Sequence, residues 1–132
     1  MVDFTIDPKT TAFLGVDLQN CFVENSPVAA PQGPQVVEKL NELSAAMRSA
    51  GSLIVWARHV VRPDHANAGM LGRTVPPVQK GVIDDDSMTG ALSSRVVLGK
   101  DDVVLNKPRF GAFYGTDLDI TLRARGIKTL VL

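Results

Sequence analysis

Cysteine is almost missing from this chain: Cys21 is the only one in 132 residues, so no internal disulfide can form and a reducing compartment suits it. A charge imbalance is missing too. Fourteen basic residues offset fourteen acidic ones, leaving no net field toward nucleic acid, an anionic membrane or a strongly charged partner. No apolar run approaches the roughly 18 residues that a membrane span requires. Met1-Val2-Asp3-Phe4-Thr5 lacks the basic flank and long apolar stretch of a secretion signal. Neither an internal repeat nor a low-complexity tract is present. These absences exclude nucleic-acid and membrane partners and leave a cytoplasmic protein, one domain over residues 1–132, that meets a small molecule. With 45% apolar and 21% charged residues, the chain can bury one core.

Thr11-Ala12-Phe13-Leu14-Gly15-Val16 is a short continuous apolar run ending at Asp17, the pattern of a strand buried on both faces of a parallel sheet. Pro27, Pro31 and Gly33 mark a loop, and Pro34 opens a helix at a position that needs no backbone donor. Val36, Val37, Leu40, Leu43, Met47 and Ala50 then recur at helical spacing until Gly51 stops them. Ser52-Leu53-Ile54-Val55-Trp56 is a second strand, so residues 11–56 form a strand-helix-strand unit. Residues 59–100 are broken by glycine, proline and the run Asp84-Asp85-Asp86, and they read as an excursion with short local elements. Order returns with Asp102-Val103-Val104-Leu105-Asn106, a third strand delivering Lys107. Thr116, Asp117 and Asp119 begin a helix that Arg123, Arg125 and Gly126 close, and residues 127–132 form a fourth strand.

Functional side chains in an open parallel sheet gather outside the carboxyl ends of the strands, where this reading puts Asp17 and Lys107. A carboxylate and an ammonium in a partly dry crevice hold each other charged, and together they can move a proton or stabilise developing negative charge. A plain salt bridge, or two solvated loop ends, fits the same spacing. Gln19 and Asn20 stand beside Asp17 and either orient it or end the strand. Phe22, Trp56 and Phe113 are candidates for substrate contact along an aromatic wall, and core packing fits them as well. Arg109 has the planar fork that suits a substrate carboxylate.

Phe13-Leu14-Gly15-Val16-Asp17-Leu18-Gln19-Asn20-Cys21-Phe22 resembles the opening motif of the isochorismatase-like cysteine hydrolases, an apolar strand followed by Asp-x-Gln-Asn-x-Phe. Val104-Leu105-Asn106-Lys107-Pro108-Arg109-Phe110-Gly111-Ala112-Phe113-Tyr114-Gly115-Thr116-Asp117-Leu118 resembles the lysine motif of the same family, and Leu122-Arg123-Ala124-Arg125-Gly126-Ile127 its following helix end. Lys107-Pro108-Arg109 leans toward the branch that hydrolyses ureido and carbamoyl amides.

The resemblance implies a Rossmann-like, three-layer α/β/α fold with a mostly parallel sheet, incomplete at its carboxyl end. It implies an Asp-Lys-Cys triad in which Asp17 takes the thiol proton and Lys107 favours the thiolate, which attacks a small-molecule amide to leave a thioester. The family's nucleophile follows its fourth strand, so it is expected beyond Leu132; Cys21 falls elsewhere and reads as a small buried side chain, leaving this polypeptide alone without activity. True isochorismatases cleave a vinyl ether by acid chemistry on the same aspartate without that thiol, and a non-catalytic binding domain is a further alternative. Nicotinamidases hold a metal through an Asp-x-His pair after the second strand. Here that place reads Ala57-Arg58-His59, and Asp64-His65 is isolated, as solvated loop histidines are, so neither metal nor cofactor is expected. Family members assemble as dimers or tetramers, which implies a homo-oligomer.

Overall fold

Successive side chains of a strand point to opposite faces of its sheet, and in this protein both faces are covered. The computed structural model describes residues 5–132. Its elements run β1 (Thr11–Val16), α1 (Asn20–Val23), α2 (Gly33–Ser49), β2 (Leu53–His59), α3 (Leu71–Thr74), α4 (Pro76–Gln79), β3 (Val103–Lys107), α5 (Leu118–Ala124) and β4 (Thr129–Val131), with a 3-10 turn at Pro8–Thr10 ahead of β1. The strands form one sheet in the order β3-β2-β1-β4, every neighbouring pair parallel. Ala12, Leu14, Val55, Ala57 and Leu105 pack with Leu118 and Leu122 of α5 on one face. Phe13, Ile54 and Trp56 pack with Val37, Leu40 and Met47 of α2 on the other. The result is the expected three-layer α/β/α arrangement, in which burial of both strand faces removes the need for polar alternation.

Gly15 shows how tightly these layers close. It lies opposite Trp56 in the β1–β2 register, and a Cβ there would sit 2.5 Å from the indole ring. Only a residue without a side chain lets that ring lie over the strand.

The excursion across residues 59–100 builds a third apolar cluster from Cys21, Val61, Ala68, Val78 and Ile83, flanked by Phe22, Leu71 and Val75. α3 and α4 are its only helices, each a single turn. α1 was not legible in the sequence. It is one turn, docked by Asn20 N–H and Cys21 N–H donating to the Ala91 and Thr89 carbonyls, so distant residues fix it rather than local periodicity. Both predicted glycine stops hold, with Gly51 at φ 93° and Gly126 at φ 66°.

The strand boundaries move: β3 shifts by one residue to Val103–Lys107, and β2 and β4 change more. β2 runs three residues past Trp56, because pairing with β3 continues to His59 opposite Lys107 although the apolar run has ended. β4 is shorter than residues 127–132: Ile127 N–H still donates to Leu122 O, closing α5, before Thr129 pairs with Thr11. α5 itself starts at Leu118, and Thr116 Oγ1 accepts from Leu118 N–H at 3.2 Å.

Candidate active site at the carboxyl ends of the strands

β1, β2 and β3 are adjacent, so the residues at their carboxyl ends converge: Asp17 just past β1, and His59 and Lys107 as the last residues of β2 and β3. The strand order reverses at β1, where β4 joins its other side, and such a switch point opens a crevice. Asp17 turns the chain sharply there. Its φ of 62° is left-handed, a conformation that costs about 1 kcal/mol in a non-glycine residue, least in Asp and Asn. Its N–H donates to Ala57 O at 2.9 Å, which anchors the turn to β2.

Lys107 is fully buried, and its Nζ lies 2.9 Å from Asp17 Oδ1. The contact is an ion pair whose angles fall outside hydrogen-bond geometry, since Oδ1 has no aligned donor; Nζ donates instead to Arg109 O at 3.2 Å. The Asp17 side chain is 34% exposed, so a buried cation stands behind a carboxylate that a small molecule can reach. That arrangement places fixed positive charge beside the carboxylate and beside any anion formed near it.

A sequence model of the Isochorismatase domain matches residues 11–132. The chain belongs to the isochorismatase domain family. It is 32% identical over 145 residues to a ureidoacrylate amidohydrolase RutB of Methylorubrum extorquens, an alignment covering 95% of this chain and 58% of that protein. The cysteine hydrolase from Pseudomonas syringae pv. phaseolicola superposes with a TM-score of 0.90 at 28% identity, over 98% of this chain and 61% of that one. The N-carbamoylsarcosine amidase from Thermoplasma acidophilum does so with a TM-score of 0.75 at 27% identity, over 92% and 65%. The chain thus spans about three fifths of the length of these relatives.

Within this isochorismatase domain, neither polar neighbour of Asp17 binds its carboxylate. Gln19, fully buried, clamps the end of β2: Oε1 accepts from His59 N–H at 2.6 Å, and Nε2 donates to His59 O and Gly90 O, each at 2.9 Å. Asn20 Nδ2 donates to Met88 O. Gln19 thus ties the excursion to the end of β2, and Asn20 ties it to α1. His59 is the functional candidate that sequence reasoning missed. It is not a solvated loop histidine but the buried end of β2, 4% exposed, with its ring edge-on to Phe110 at 5.5 Å. Burial, and then the Lys107 ammonium, push its pKa below the ordinary value, so the imidazole is neutral. The signal was its register opposite Lys107, which needs β2 to extend past its apolar run. His65 is half-buried and pairs with Asp84 at 3.0 Å, giving part of the acidic run a structural role.

The proposed aromatic wall does not assemble. Trp56 is fully buried in the core, its Nε1 donating to Asp102 Oδ2 at 2.8 Å, so it has no surface for a substrate. Phe113 is half-exposed and is not among the residues that line the cavities at His59. Phe22 does line one, together with His59 and Phe110. Arg109 Nη1 donates to Asn67 O at 2.7 Å and Pro108 O at 2.6 Å, so the guanidinium straps the excursion to the loop after β3.

Cys21 is buried, and burial foremost, with the Asp17 carboxylate adding to it, pushes its thiol up to about 11. A thiol so protonated at neutral pH is a poor nucleophile, in keeping with the structural reading. A cavity of about 570 Å³ is lined by Arg48, Leu53, Asp102 and Ile127 at the amino ends of the strands, the opposite end of the sheet, and takes no part in this site.

Proposed function

We propose that this chain is part of a hydrolase that cleaves a small ureido- or carbamoyl-type amide, with Asp17 as the general base and Lys107 as the cation that favours a thiolate. The observation that carries this reading is the ion pair between a fully buried ammonium and a half-exposed carboxylate at the strand ends. The thiolate comes from outside residues 1–132, because Cys21 is held protonated. Asp17 takes the thiol proton as sulfur attacks the carbonyl carbon; the C–N bond breaks and the proton passes to the leaving nitrogen. Water then hydrolyses the thioester, and the thiol is restored. Similarity to the ureidoacrylate amidohydrolase and the N-carbamoylsarcosine amidase supports the choice of bond. Phe22, which lines a cavity together with His59, supplies substrate contact in this scheme.

The test is ammonia release from ureidoacrylate and N-carbamoyl amino acids by the protein expressed from its complete reading frame, with Lys107→Ala and Asp17→Asn alongside. Turnover that either substitution abolishes supports the assignment; turnover retained in either variant refutes it. Cleavage of a vinyl ether without ammonia would assign Asp17 to acid chemistry instead.

A further inference from the structure

A buried polar atom without a partner is uncommon in a folded protein, because it has given up its hydrogen bonds to water for nothing in return. His59 Nε2 is such an atom. The ring that carries it is fixed from behind, since both backbone polar groups of His59 are held by Gln19. Its strand partner is Lys107, so it stands beside the ion pair on the same face of the sheet.

Two cavities meet at this ring, of about 390 Å³ and about 190 Å³, and His59, Leu71, Val75 and Phe110 line both. In the smaller one every lining residue except His59 is apolar. The larger one adds Thr74 and Arg109. Thr74 Oγ1 donates to Met70 O and Arg109 Nη1 donates to two backbone carbonyls, while the rest of the guanidinium stays a charged part of the larger cavity's wall. The smaller cavity has room for a compact apolar group, walled by aliphatic and aromatic side chains with His59 Nε2 as its uncommitted hydrogen-bonding atom.

We propose that His59 is a substrate-positioning residue whose Nε2 hydrogen-bonds the polar head of a neutral amide or urea, while the compact apolar substituent of that molecule fills the smaller cavity, between Phe22, Leu71, Val75 and Phe110. The amide as reacting group rests on the proposed function; the apolar arm rests on the cavity alone. Depression of the His59 pKa by burial and by Lys107 agrees with a neutral ring, which offers one donor and one acceptor. Asp17, Lys107 and Arg109 are the charged groups around it. The smaller cavity, which takes this arm, has no cation among its lining residues, since Arg109 lines only the larger one, so a carboxylate on the arm would be buried unpaired, which selects against acidic side arms.

The experiment is a binding measurement that needs no turnover. The protein from its complete reading frame is labelled with ¹⁵N-histidine and titrated with butyramide, and separately with succinamate, which carries a carboxylate at the far end of the same chain. His59→Phe identifies the resonance, and unchanged Trp56 fluorescence checks that each variant is folded. Butyramide should shift the His59 Nε2 resonance saturably and succinamate should bind more weakly. His59→Phe should lower butyramide affinity about tenfold, the loss expected for one hydrogen bond, and His59→Gln should restore most of it. An Nε2 resonance that saturating butyramide leaves unmoved overturns the proposal, as does equal binding by His59→Phe or preference for succinamate. Binding with these properties but no amide turnover would defeat the proposed reaction and leave this site standing.

Discussion

Asp17→Asn removes a charge and almost no volume, and it leaves the buried Lys107 ammonium without its ion-pair partner. At 2.9 Å the Coulomb attraction is about 6 kcal/mol for an effective dielectric of about 20. Asp17 is 34% exposed, so water and relaxation of the turn absorb a good part of it, and the expected loss of stability is about 2–4 kcal/mol. Lys107→Met behaves differently. It removes the buried charge itself and leaves a carboxylate that already reaches water, so it should cost less than about 1 kcal/mol. The double variant should therefore recover about 2 kcal/mol over Asp17→Asn alone. Urea unfolding followed by the emission of Trp56, the single tryptophan and fully buried, reads all three variants. If Asp17→Asn lies within about 0.5 kcal/mol of the parent, or if the double variant is no more stable than Asp17→Asn, the ion pair is not what holds the ammonium inside.

Cys21, with its thiol at about 11, should react with a disulfide reagent at pH 8 only after unfolding; rapid labelling of the native protein would contradict its burial. Acid should destabilise the protein in two steps. The His59 pKa is depressed in the folded state, so the unfolded chain binds the extra proton; stability holds above about pH 6.5 and falls as pH drops below it. Burial pushes the Asp102 carboxyl up, but hydrogen bonds from Arg48, Trp56 and the Gly99 N–H outweigh it and hold it low, so a second loss follows below about pH 3.8. Urea midpoints between pH 8 and pH 3 check both steps, and His59→Gln should flatten the first.

The strands, α2, α5 and the glycine stops are legible in the chain because each is encoded by a local pattern: a continuous apolar run for strands buried twice, a helical period, a residue that tolerates positive φ. Asp17 and Lys107 were legible for the same reason, since Asp17 follows its apolar run directly and Lys107 stands one residue, Asn106, beyond its own. The excursion gave only its irregularity. α1 and the docking of its neighbours rest on hydrogen bonds to residues some seventy positions away, such as Cys21 N–H to Thr89 O, and no local period records such partners.

What the sequence determined by itself was therefore the layered fold and the two charged strand ends, both set by residues close together in the chain. Tertiary structure decided which neighbours join them. It sent Trp56 into the core, because the indole lies over Gly15 and its N–H finds Asp102. It turned Gln19 away from Asp17 to clamp the end of β2. By extending β2 to pair with β3, it set His59 beside Lys107 with a buried nitrogen unpartnered. Register between distant strands and the desolvation of a ring are properties of the packed chain, and a list of residue types holds neither.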